Sequence, residues 1–174
     1  MKNNTWRPIV DNNDILIRLR YALEIKNKEM AEIFKLGGED VTVPEVVKIL
    51  IKSDEYDIEN DDQIKINNSM LDSFLNGLII FKRGRQEPKP GQPASPETSI
   101  KKSSNMNNLL LKKVKIALAL TTDDVLDIFE MAGIMVSKGE LSALLRKEGH
   151  KNYKECGDKY ARNFLKGLAV KYRG

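Results

Sequence analysis

Cysteine and histidine are almost absent. The 174-residue chain has one of each, Cys156 and His150, so no disulfide closes within it and no zinc site built from several Cys and His ligands can be assembled. Long apolar runs are missing too. The longest cover only a few residues, such as Ile116 to Leu120, whereas a bilayer-spanning helix needs about 20. Met1 to Asp14 is mostly polar and lacks the apolar centre of a secretory signal. Paired carboxylates at catalytic spacing, a Gly-rich phosphate loop and metal-ligand spacing are also absent. These absences predict a non-enzymatic, cytoplasmic protein with no membrane partner, no metal and no cofactor.

Charge, in contrast, is plentiful and uneven. The formal net charge is +4, but residues 1–81 sum to −5, residues 82–106 to +4 and residues 107–174 to +5. A basic second half suits a polyanion, and it equally suits an acidic surface of its own or another chain. Of the 29 basic residues 21 are Lys, and Asn occurs 14 times, a bias that an AT-rich genome also produces. The pI near 9.0 therefore does not by itself argue for nucleic acid.

Four of the six prolines, Pro88, Pro90, Pro93 and Pro96, fall between Arg85 and Asn105. Such a stretch can neither bury apolar area nor donate a full set of backbone hydrogen bonds, and it predicts an exposed tether. On either side the sequence repeats. At an offset of 95, Asn13, Leu16, Ala22, Leu23, Ile33, Phe34, Gly38, Val41, Glu45 and Leu50 recur as Asn108, Leu111, Ala117, Leu118, Ile128, Phe129, Gly133, Val136, Glu140 and Leu145. At an offset of 90, Phe74-Leu-Asn-Gly-Leu78 recurs as Phe164-Leu-Lys-Gly-Leu168, and Arg83-Gly84 as Arg173-Gly174. The change of offset puts five extra residues in the first copy between Asp54 and Met70, where six of the nine residues from Asp54 to Asp62 are acidic. That loop lacks the sixth-position Gly and closing Glu of a calcium loop, and reads as a solvated connection. The domain plan is a leader (1–12), a first repeat (13–84), a Pro-rich linker (85–106) and a second repeat (107–174).

Each copy reads as four helices, with no alternating strand pattern, so the fold class is all-α. The first runs from about Asp14 to Lys26, with Leu16, Leu19 and Leu23 on one face, echoed by Leu111, Val114 and Leu118. The second covers Lys28 to Leu36 and Asp123 to Met131, each stopped by Gly. The third starts at a capping box, Thr42-Val-Pro-Glu45 or Ser137-Lys-Gly-Glu140. The fourth spans about Ser69 to Lys82 and Glu155 to Tyr172. Gly77 and Gly167 sit mid-helix beside Phe74 and Phe164, each at a cost of about 1 kcal/mol relative to Ala. The compensating gain is close approach of another helix. Because a unit of about 70 residues buries only about 60% of its extended surface, the copies are expected to pack together about an approximate two-fold axis, through the helices of Gly77 and Gly167.

The run His150-Lys-Asn-Tyr-Lys-Glu-Cys-Gly-Asp158, with Phe164-Leu-Lys-Gly-Leu168, Phe74-Leu-Asn-Gly-Leu-Ile79 and Lys82-Arg-Gly84, resembles the YehS-like family, a duplicated bacterial domain of unknown function. The resemblance covers about Asn12 to Arg173. The leader, the lengthened acidic loop and the Pro-rich linker depart from it. It implies a duplicated, helical, cytoplasmic protein and transfers no catalytic or ligand residues.

Helices two and three of the second copy have the layout of a helix-turn-helix, with Lys138, Ser142, Arg146 and Lys147 facing outward. The connection, Ala132 to Ser137, is about two residues longer than that motif's usual one, and a plain helical hairpin gives the same pattern. Arg18 and Arg20 on the first helix recur as Lys113 and Lys115, a candidate phosphate-contacting edge to which Lys112, Lys151, Lys154, Arg162 and Lys166 add, and which together with Arg146 and Lys147 of the third helix makes the expected nucleic-acid surface. The alternative is a solvated face whose long side chains cover apolar surface. Cys156 with His150 does not meet the geometry of an activated nucleophile and reads as a small buried hydrophobe. Two expectations result: a protein associating with DNA or RNA through basic helix faces, or a module that binds a protein partner or a second copy of itself.

Overall fold

A computed structural model describes residues 8–9, 11–51, 62–84 and 105–173. Most of the acidic insertion and of the Pro-rich linker lie outside them. The described residues form α1 (Asn12–Leu23), α2 (Asn27–Leu36), α3 (Val43–Ile49), α4 (Asn68–Arg83), α5 (Met106–Ala117), α6 (Thr122–Met131), α7 (Lys138–Leu145) and α8 (Asp158–Arg173). The protein is all-α and is a tandem duplication, α1 to α4 and α5 to α8.

Local chemistry sets the boundaries. Thr42 and Ser137 accept hydrogen bonds from the N–H groups of Glu45 and Glu140, whose carboxylates accept in return. Thr121 and Asp124 make a third such pair. The N–H groups of Thr42, Ser137 and Thr121 hold these three carboxyls below their usual range, because each bond favours the ionised form. α1 begins at Asn12, earlier than expected, since the side chain of Asp11 caps the N–H of Asp14 at 2.9 Å. It ends at Leu23, short of Lys26, because Glu24 turns left-handed at φ 53°. Ile25 then donates to the Arg20 carbonyl and buries its side chain. Ala119, at φ 54°, does the same after α5.

Within each repeat the deepest contact is helix on helix at glycine. A Cβ on Gly77 would lie 1.8 Å from the Ile33 carbonyl oxygen at the end of α2, and one on Gly167 would lie 2.0 Å from that of Ile128 in α6. Beside them, Phe74 meets Phe34 edge-on at 5.0 Å and Phe164 meets Phe129 at 5.8 Å. This corrects the expectation for these four residues. Gly77, Gly167, Phe74 and Phe164 fasten α4 to α2 and α8 to α6 inside each repeat. The joint between repeats uses other faces of the same helices, α4 against α5 and α8 against α1. The physical reason is that a missing side chain matters most where two backbones come nearest, and the short α2 and α6 must press against the long helix to enclose a repeat's own core.

The two joints are equivalent under the pseudo-two-fold. Arg83 donates to the Ile116 carbonyl at 3.2 Å, and Arg173 to the Tyr21 carbonyl at 3.2 Å. Each guanidinium bridges the C-terminal ends of two neighbouring helices, where the last-turn carbonyls concentrate partial negative charge. One hydrophobic core runs through both repeats, from Leu16 and Phe34 to Leu111 and Phe164.

Candidate functional site

The connection before the last helix of each repeat is held by a pair of asparagines. Asn13 Nδ2 donates to the carbonyls of Ile49 (2.9 Å) and Ile64 (2.7 Å), and its Oδ1 accepts from the N–H of Ile66 at 3.0 Å. Asn108 does the same with Leu144 (2.9 Å), Lys154 (2.9 Å) and Cys156 (2.8 Å). Their neighbours Asn12 and Asn107 bond to Asn68 and Asp158 at the start of α4 and α8. A buried amide can satisfy two acceptors and a donor at once, which is the demand of an extended strand crossing a helix end. This clamp engages the backbone of Lys154 and Cys156 outside any helix, so α8 starts at Asp158 rather than at Glu155. The sequence signal was a polar residue, Asn13 or Asn108, matched among apolar ones.

The clamp also defines the α7–α8 connection, which presents the most exposed of the basic candidates. Arg146 closes α7, and Arg146, Lys147 and Lys151 are all exposed. Around them the backbone is tied by bonds from the N–H of His150 to the Lys147 carbonyl (3.0 Å), of Tyr153 to the His150 carbonyl (2.9 Å) and of Lys154 to the Ala143 carbonyl (3.0 Å). His150 Nδ1 accepts from the N–H of Asn152 at 3.0 Å. Among the described residues none of the three cations has a carboxylate partner, whereas Lys154 lies 3.8 Å from Glu140 and over the Tyr160 ring.

Two of the other candidates are placed where phosphate cannot reach them. Arg18 is 5% exposed, bonded to both oxygens of Asp14 and to the Pro8 carbonyl. The candidate edge of α1 is therefore closed at Arg18 by its own helix and by the segment before it. Lys113 donates to Asp72, a buried carboxylate on α4, so it ties the repeats together. The positions equivalent to Lys113 and Asp72 are Arg18 and Arg162, two cations. Asp14 supplies the anion that the second joint would otherwise lack. Arg20 and Lys115 sit half-buried in the last turns of α1 and α5.

Cys156 is enclosed in the core. It is 1% exposed, occupies the place of Ile66 in the first repeat, and burial pushes its thiol up to about 12. His150 is exposed and engaged with Asn152. Among the described residues no cluster of three Asp, Glu, His or Cys side chains could hold a metal ion, and no helix is long and apolar enough to cross a membrane.

Structure and sequence thus define a duplicated four-helix scaffold, clamped by asparagines and presenting one basic connection. The chain belongs to the family described as "Protein of unknown function (DUF1456)", whose model matches it twice, at residues 12–84 and 107–174. It is 40% identical over 160 residues to "Uncharacterized protein YehS" of Escherichia coli (strain K12), an alignment covering 92% of this chain and 95% of that protein. No solved structure matches it.

Proposed function

We propose that this is a non-enzymatic, cytoplasmic binding protein that associates with nucleic acid through the phosphate backbone, using Arg146, Lys147 and Lys151 on the α7–α8 connection. The observation that supports the reading is the connection itself. Its backbone is hydrogen-bonded into one shape while its three cations are exposed and, among the described residues, without acidic partners, at the place where the first repeat carries an acidic loop in its sequence. Lys contacts phosphate as a point charge and carries little base information, so binding has weak sequence preference. Arg20 and Lys115 add to it only as half-buried flanks, and Arg18 and Lys113 take no part.

Fluorescence anisotropy on a DNA duplex and on a single-stranded RNA, across a salt series, tests this. Each neutralised phosphate contributes about −0.9 to the log-log salt slope on duplex DNA, so the triple variant R146A/K147A/K151A flattens the slope by up to about 2.7. Flat titrations of the wild-type protein on both ligands near physiological salt, or an unchanged slope in the variant, overturn the proposal.

A further inference from the structure

The most exposed large apolar side chain among the described residues is Met135, at 82%, and Met131 at the end of α6 is 45% exposed. In the first repeat the places of Met131 and Met135 are taken by Leu36 and Asp40, and Leu36 is half-buried. The same site in one fold thus carries a carboxylate in one copy and a bare thioether in the other, so the thioether is not dictated by packing. Methionine at an exposed position offers a soft, adaptable contact for a partner.

The charge around it is equally particular. On the exposed side of α6 stand Asp123, Asp127 and Glu130, spaced so that like charges face each other along the helix, which costs helix stability. The matching residues of α2 are Lys28, Glu32 and Lys35, the mixed signs of an ordinary solvated face. Asp123 meets Lys138 only loosely, at 3.9 Å with both side chains about three-quarters exposed. An apolar anchor beside a one-sign acidic face, inside a half that is otherwise basic, calls for a cationic partner surface. The chain itself carries one on the α7–α8 connection, where the exposed Arg146, Lys147, Lys151 and Lys154 outnumber Glu148 and Glu155.

We infer that the second repeat is self-complementary. The α6 face with Met131 and Met135 docks against the α7–α8 connection of a second copy, and the two-fold symmetry of a dimer makes the contact twice. Polyanion and second copy then compete for the same three cations. The inference does not rest on nucleic-acid binding, because self-association is measured without any nucleic acid.

Sedimentation velocity of the full chain at low salt, at roughly 100 µM protein, where a contact of micromolar strength saturates, should show a dimer that dissociates as salt rises. The reversed variants D127K/E130K and R146E/K147E, both confined to exposed or solvent-facing positions, should each be monomeric, with association weakened at least about tenfold. Mixed together they should restore a dimer, since each then offers the charge the other lost. M131S/M135S should weaken the dimer without altering its salt dependence. A monomeric wild-type protein at low salt overturns the inference. So do reversed variants that remain dimeric, or a mixture that stays monomeric.

Discussion

Replacing Gly167 by Ala sets two effects of opposite sign against each other. Helix propensity alone favours Ala in a helix interior by about 1 kcal/mol, and α8 is a 16-residue helix with Gly167 well inside it. Against this stands the contact with α6. The new Cβ would lie 2.0 Å from the Ile128 carbonyl oxygen and 2.6 Å from the Ile128 Cγ2, whereas a carbon and a carbonyl oxygen settle near about 3.3 Å. Ile128 Cγ2 can rotate away, but the carbonyl belongs to the helix backbone, so α6 and α8 must separate by about 1 Å. Overpacking of this kind costs about 1–3 kcal/mol and sometimes more. It also loosens the Phe129 and Phe164 contact next to it. Set against the propensity gain, the net loss of up to about 2 kcal/mol corresponds to a melting temperature lower by up to about 4–8 °C in a chain of this size. Gly77→Ala should behave alike, with the Ile33 carbonyl at 1.8 Å. The control is Gly139→Ala in the first turn of α7, where the nearest atom to a new Cβ is Ser137 Oγ at 3.9 Å; there propensity acts alone and stability should rise by up to about 1 kcal/mol. Thermal melts of the three variants decide it. A melting temperature for Gly167→Ala equal to or above the wild type would refute the reasoning, as would Gly139→Ala falling alongside it.

Asn13→Leu and Asn108→Leu each orphan two carbonyls and one N–H at a helix end, so urea denaturation should show a loss of about 3 kcal/mol or more, at about 1–3 for each buried group left unpaired. Asp72→Ala leaves the Lys113 ammonium facing a dry joint and should cost about 3 kcal/mol, while the paired change Asp72→Leu with Lys113→Met should recover most of it in the same assay. The thiol of Cys156 has a folded value raised above its unfolded one. Stability from keeping it neutral is therefore complete below the unfolded value of about 8.5 and is lost as pH rises toward about 12. Iodoacetamide at pH 8 should leave the native protein unmodified and label it only in denaturant, and Cys156→Ala should lessen the fall in stability between pH 9 and 11, an alkaline window read from these two values. Equal labelling of native and denatured protein would show the thiol to be accessible.

Several features of this protein were determined locally, so the sequence by itself announced them. The helices of each repeat follow from apolar spacing, and the starts of α3 and α7 from Thr42 with Glu45 and Ser137 with Glu140, because a cap is a bond between residues three apart. The duplication was legible for a different reason: equivalent core positions face equivalent demands, so Phe34 and Phe129, or Gly77 and Gly167, survive in register. What the sequence could not assign was which neighbour each of these residues meets. Gly77 signalled a close helix contact, but only the tertiary arrangement made that contact α2 rather than the other repeat. Arg18 and Lys113 carry the same sign as Lys147 and Lys151 and look alike along the chain. Burial against Pro8 and Asp14, or against Asp72 from 41 residues away, turns the first two into structural ion pairs and leaves the others in water. Charge is a property of the residue, but its availability depends on which surfaces the fold covers, and that is set by contacts between segments far apart in the chain.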